Sequence, residues 1–154
     1  MRPERSRRAI RRAPVLGAIA AGGVVGAEAR YAAAVLMGGG PDDFPWSTLL
    51  VNASGCVLIG VLMVLVTEVT EPHRLVRPFL AVGFLGGFTT FSTFGLDVQS
   101  LLLAGRPAAA TAYLVATVSA TPGGTWLGIT TIRAMTRHRA WTRSDVNSRE
   151  GART

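Results

Sequence analysis

Two stretches free of charge constrain this chain more than anything else in it. Trp46–Thr67 runs 22 residues and Pro107–Ile132 runs 26 residues without an Asp, Glu, Lys or Arg. Rising about 1.5 Å per residue, a helix of either length crosses a hydrocarbon core of roughly 30 Å. Two further stretches are nearly as apolar: Pro14–Met37, interrupted by Glu28 and Arg30, and Pro78–Leu103, interrupted only by Asp97. Lipid offers backbone amides no partner but the chain itself, so these segments are expected to be helices. The sequence therefore reads as an all-α integral membrane protein with four transmembrane helices. Residues 14–133 form the membrane domain, 1–13 a basic N-terminal tail, and 134–154 a basic C-terminal tail expected to be solvated and disordered.

The formal net charge is +7, and because lysine is absent all sixteen cations are arginines. Nucleic acid is a usual partner of so basic a chain, but the placement of the arginines points elsewhere. Six precede the first span, Arg74 and Arg77 lie between the second and third, and six follow the fourth. Four spans put those three regions on one face of the membrane, leaving Arg106 in the loops of the other face and Arg30 near the end of the first span. Cationic loops stay cytoplasmic during insertion, so both termini are expected in the cytoplasm, with a lipid bilayer and not nucleic acid as partner. The leading MRPERSRRAIRRAP resembles the charged region of a signal peptide, yet no convincing small-residue cleavage site follows it. It reads as the start of an uncleaved first helix. Cys56, the single cysteine, has no intrachain disulfide partner and reads as a packing residue.

Chemistry-bearing residues inside the spans are few. Gly22, Gly26 and Arg30 recur at four-residue spacing, where small side chains let helices approach closely. Arg30 reads either as an arginine snorkelling to the interface or as one that draws anions into an aqueous vestibule. Asn52 needs a partner in lipid, which interhelical hydrogen bonding or donation to an anion would each supply. Tyr113, Thr117, Thr121 and Thr125 fall on one helical stripe, a candidate polar track. Pro122-Gly123-Gly124 interrupts that stripe and predicts a kink or local unwinding. Asp42 and Asp43 in the first loop, and His73 and His138 outside the spans, lack the companions of a metal or catalytic site, and no enzyme chemistry is expected.

The densest signal is GFLGGFTTFSTFGLD, residues 83–97. Gly86 and Gly87 loosen the helix, Thr89, Thr90, Ser92 and Thr93 bring hydroxyls, and Phe88, Phe91 and Phe94 recur every third residue. Unwound backbone is tolerated in a membrane only where protein or a hydrated cavity receives its free groups. A break here would offer carbonyls at one half-helix end, suited to a small hard cation, and amides at the other, suited to an anion. Phenylalanine adds a ring edge that carries the positive part of its quadrupole and can face an anion.

These motifs resemble the small bacterial Fluc/CrcB fluoride channels over about Gly22 to Gly128. GAEARY is similar to the family's first-span element, STLLVNASGCVLIG to its second-span element, and GGFTTFSTFG to its third-span signature, which is the specific one. The resemblance implies an antiparallel, dual-topology dimer in the bacterial inner membrane whose third helix is broken near its middle. It implies two pores that export cytoplasmic fluoride down its electrochemical gradient, without chemistry. A structural sodium ion falls to the backbone carbonyls of Gly86 and Thr89. The fluoride pathway falls to Asn52, Phe91 and Phe94, with Thr90, Ser92, Thr93, Thr117 and Thr121 supplying hydroxyls, and Arg30 falls at an aqueous vestibule. The sequence departs from the family in carrying threonine where serine is common in the fourth span, and in its Pro122-Gly123-Gly124.

Family members that form homodimers insert both ways and need little charge bias, whereas fourteen of these sixteen arginines fall on one side. A fixed orientation follows, and with it a heterodimer with an oppositely inserted paralogue. Two rival readings remain from the residues: a small proton-coupled multidrug transporter using Glu28, and a non-conducting subunit that completes a partner's pore.

Overall fold

The computed structural model describes residues 3–38, 40, 43–69 and 72–151, with side chains described over 12–38, 40, 43–69 and 72–136. Asp42 and the side chain of His138 lie outside the described residues. Every regular element among the described residues is helical: α1 (Pro3–Met37), α2 (Trp46–Val64), α3 (Leu85–Phe88), α4 (Phe91–Leu103) and α5 (Pro107–Gly151). Two π-helical segments, Leu65–Val69 and Pro78–Phe84, extend α2 and lead into α3. The elements thus form four rods, the third composed of Pro78–Phe84, α3 and α4. α1 and α5 carry on into the arginine-rich segments that the sequence suggested as tails.

Three rods, Arg12–Met37, Trp46–Val69 and Pro78–Leu103, are long and apolar enough to cross a membrane. α5 is not among them, because threonine, serine, glycine and proline hold down the mean hydropathy of its uncharged stretch. Those same small residues let it lie close along α2. A Cβ at Gly60 would run into the carbonyl oxygen of Thr125, and one at Gly128 into that of Val57. α1 meets the third rod in the same way. A Cβ at Gly22 would strike the Phe79 carbonyl, one at Gly26 the Phe84 carbonyl and one at Gly87 the Gly23 carbonyl, while one at Gly83 would stand 2.5 Å from the Ile19 carbonyl. Later residues of one rod meet later residues of the other in both pairs, so α1 runs parallel to the third rod and α2 parallel to α5. Backbone contact of this kind supplies the dispersion and Cα–H···O attraction that holds helices together where lipid removes hydrophobic contrast.

Close packing recurs beside Pro122. Of the kink or local unwinding that the sequence suggests at Pro122-Gly123-Gly124, unwinding is absent, since α5 runs through these residues as helix. Gly124 is seated against α2, where a Cβ would lie 3.1 Å from the Ala53 carbonyl oxygen and 3.2 Å from the Cys56 Cβ.

The parallel pairs fix which chain segments share an end. One end gathers the first part of α1, the 69–78 connection and the far part of α5, where the Arg133 guanidinium donates to both carboxylate oxygens of Glu68. Hydrogen bonding to Glu68, then the charge of that carboxylate, holds Arg133 above its ordinary pKa. The other end holds the first loop and the turn at 104–106. Near it lies the fully buried core, Leu101, Ala110 and Tyr113, against which Phe44, Leu49, Phe94 and Val98 pack. Elsewhere large apolar side chains face outward, Leu36 at 87% exposed and Leu103 at 81%, as suits a lipid solvent.

Candidate functional site

The third rod changes conformation at two threonines, and the hydrogen-bond partners explain why. Thr89 and Thr90 are extended, at φ −81, ψ 155 and φ −147, ψ 126, between α3 and α4. The Thr89 amide closes the last turn of α3 on the Leu85 carbonyl at 3.0 Å. A continuing helix would next join the Thr90 amide to the Gly86 carbonyl. That amide instead donates to Asn52 Oδ1 at 2.8 Å, and Asn52 Nδ2 donates back to the Thr90 carbonyl at 2.9 Å. One side chain on α2 thereby satisfies both backbone groups of the extended residue.

α4 then begins afresh. Thr90 is its N-cap, its Oγ1 accepting from the Thr93 amide at 3.2 Å. The Thr93 amide is the donor that a continuous helix would have given to the Thr89 carbonyl. Gly86 and Thr89 are therefore two residues whose carbonyls lose their helical donors, one to Asn52 and the other to the Thr90 hydroxyl. The Gly87 carbonyl accepts from Arg30 Nε at 3.1 Å. Arg30 on α1 and Asn52 on α2 thus hold the segment from two sides. Gly55 makes room for it, since a Cβ there would overlap Thr89 Cγ2.

A cleft of about 460 Å³ opens beside this segment, lined by Asn52, Thr90, Phe91, Phe94, Thr117 and Thr121, with Gly86 and Thr89 on its wall. The Phe91 and Phe94 rings lie 5.7 Å apart at 43°, and Phe91 is 84% exposed. A second cleft, of about 370 Å³, collects Arg30, Glu28, Thr48 and Thr93, and meets the first at Thr90. The candidate residues therefore divide between two spaces on either side of one threonine. Ser92 lines neither, its hydroxyl lying 3.3 Å from Thr90 Oγ1.

The threonine stripe of α5 also divides. Thr121 donates to the Thr117 carbonyl and Thr125 to the Thr121 carbonyl, both at 3.0 Å. Their hydroxyl hydrogens are committed to their own helix. Thr117 Oγ1 is buried beside the Tyr113 hydroxyl and makes no hydrogen bond of standard geometry.

Thr48 and the partner role of Asp97 escaped sequence reasoning, and Tyr113 figures there only as one member of the polar stripe. Tyr113 is entirely buried and donates its hydroxyl to Asp97 Oδ2 at 3.0 Å, on the far side of Phe94, whose ring lies 5.4 Å from that of Tyr113. Thr48 is buried too and lines the second cleft. Asp97 read only as an interruption of an apolar run. The available signal was that a carboxylate in a span needs a partner, and Tyr113 heads the polar stripe.

The family model for CrcB-like protein, Camphor Resistance (CrcB), matches residues 17–129. The chain belongs to the CrcB family. Among curated CrcB relatives, "Fluoride-specific ion channel FluC 2" of Streptomyces avermitilis is 55% identical over 106 residues, covering 69% of this chain and 67% of its own length. "Fluoride-specific ion channel FluC 1" of Streptomyces coelicolor is 49% identical over 127 residues, 82% of each chain. "Fluoride-specific ion channel FluC 3", also of Streptomyces avermitilis, is 45% identical over 115 residues, covering 75% of this chain and 56% of its own length. CrcB membership makes this chain a membrane channel protein and not an enzyme, and it sets aside the multidrug transporter reading of Glu28, which is exposed on α1.

Proposed function

We propose that the chain is a fluoride-specific channel subunit that lets cytoplasmic fluoride leave the cell. The observation that carries this reading is the cleft beside the extended segment, where the Phe91 and Phe94 rings and the Asn52 side chain converge, with Thr117 and Thr121 on its wall. Fluoride is small and strongly hydrated, and leaving water requires replacement donors at close range. Hydroxyl and amide hydrogens supply them, and aromatic edges add positive potential without the desolvation cost of a buried cation. The start of α4 adds the positive end of a helix dipole beside Phe91. Arg30, in the second cleft, adds cationic potential at a vestibule.

Sodium fits the donor set at the extended segment. Gly86 and Thr89 offer carbonyl oxygens freed of helical donors, hard ligands suited to a hard cation, and the described residues hold no cluster of His, Cys, Asp or Glu to compete. A bound sodium would supply fixed positive charge and tie the carbonyls in place.

An open cleft beside backbone carbonyls freed of their helical donors at membrane depth calls for a second chain, because lipid satisfies none of those groups. The reading is an antiparallel dimer, with this chain fixed in orientation by its arginines and an oppositely inserted paralogue beside it. Relatives named FluC 2 and FluC 3 in Streptomyces avermitilis are at least a precedent for two such chains in one organism. Both termini are cytoplasmic in this arrangement, and α5 is the fourth span.

Liposomes loaded with potassium fluoride or potassium chloride test the reading, with the chain alone and with a neighbouring paralogue. Fluoride efflux with chloride retained is expected in the paired liposomes. Equal passage of both anions refutes selectivity. Fluoride-specific flux from the chain alone, with N-termini on both faces, refutes the heterodimer.

A further inference from the structure

We propose that the arginine-rich end of the bundle carries a binding site for an anionic phospholipid, between the end of α2 and the start of the third rod. A cleft of about 490 Å³ lies there, with His73, Arg74 and Arg77 around it and Val66, Pro72, Pro78 and Val82 as its apolar walls. Its two sides are the π-helical segments Leu65–Val69 and Pro78–Phe84, which contribute Val66 on one side and Pro78 and Val82 on the other. π-helical turns are rare and recur at functional sites.

The cleft is graded along the membrane normal. Arg74 and Arg77 are exposed at the level where the second span ends and the third begins. The one ion pair among the described residues, Arg133–Glu68, does not involve either. Val82 lies five residues beyond Arg77, about one turn deeper into the span, and is 58% exposed. Guanidinium groups at headgroup level accept a phosphate through paired N–H bonds, and a valine face one turn deeper accepts an acyl chain. Inorganic phosphate would use the arginines and leave the apolar walls bare. The occupant that uses both is a phospholipid with a net negative headgroup, phosphatidylglycerol being the simplest.

The test is native mass spectrometry of the purified full-length chain, delipidated and then titrated with phosphatidylglycerol or phosphatidylcholine. The native protein is expected to retain phosphatidylglycerol at least about tenfold more tightly than phosphatidylcholine, and Arg74→Gln with Arg77→Gln to abolish that preference. Arg74→Lys with Arg77→Lys should keep part of it. A control double of equal charge loss, Arg149→Gln with Arg153→Gln, should keep it whole. Matching melting temperatures of the variants in lipid-free detergent confirm that they fold. The site is overturned if the control double loses as much preference as the cleft double, or if the cleft double keeps it. Displacement of the lipid by millimolar inorganic phosphate overturns it as well, since the ligand would then be the free anion.

Discussion

Replacing Asn52 by Leu removes both halves of its bridge to Thr90 while nearly conserving side-chain volume. In the native protein Nδ2 donates to the Thr90 carbonyl at 2.9 Å and Oδ1 accepts from the Thr90 amide at 2.8 Å. Two magnitudes compete. If only the net worth of two hydrogen bonds in a membrane protein were lost, at about 0.6 kcal/mol each, the cost would be about 1 kcal/mol. Orphaned backbone groups cost about 1–3 kcal/mol each, and two are left behind. Thr90 is extended, so its amide can return to Gly86 only if the segment rewinds. Water entering the open cleft relieves part of the penalty, which sets the expectation near 2 kcal/mol, about a thirtyfold change in the unfolding equilibrium. Titration of detergent-solubilised protein with dodecyl sulfate, followed by tryptophan fluorescence, measures it; fluoride efflux from liposomes is measured in parallel. An Asn52→Leu midpoint equal to the native one refutes the bridge as a structural element. Lost efflux at that unchanged midpoint would assign Asn52 to the anion alone.

Other substitutions separate the remaining roles. Thr117→Val should cut fluoride efflux by about tenfold or more, whereas Thr121→Val should cut it less, because the Thr121 hydroxyl already donates to its own helix; initial efflux rates compare them. Phe91→Ile and Phe94→Ile keep an apolar side chain but lose the ring edges, so each should slow fluoride with the assembly still eluting at its native size. Gly26→Val drives a side chain into the Phe84 carbonyl and should abolish folded protein on size-exclusion chromatography, while Gly17→Val, with open space around it, should behave as native. Arg133→Gln should leave the unfolding midpoint unchanged at physiological salt, since its pairing with Glu68 is exposed and screened.

Much of the architecture was legible from charge and spacing. Uncharged runs marked α2 and the fourth rod, and Gly22 and Gly26 at four-residue spacing marked a packing face whose partner is backbone of the third rod. The irregularity around Gly86 to Thr93 was legible because glycine and threonine cluster there without regular periodicity. Its physical cause was not, because the acceptor that diverts the Thr90 amide, Asn52 Oδ1, comes from a residue 38 positions away. At Pro122 a local rule predicted a kink or unwinding; the helix stays wound there, with Gly124 seated against α2.

Composition and periodicity by themselves determined the solvent, the helical class, the arginine-rich end and the stretch where chemistry gathers, since each depends on residues near one another along the chain. The tertiary structure alone decided which polar groups are committed and which are left over. It bound Asn52 and Arg30 to the backbone of the third rod, turned Thr121 back on its own helix and freed the Gly86 and Thr89 carbonyls from their helical donors. Hydrogen-bond satisfaction is a property of the whole packed molecule: a donor is available to an ion only when no nearer acceptor has claimed it.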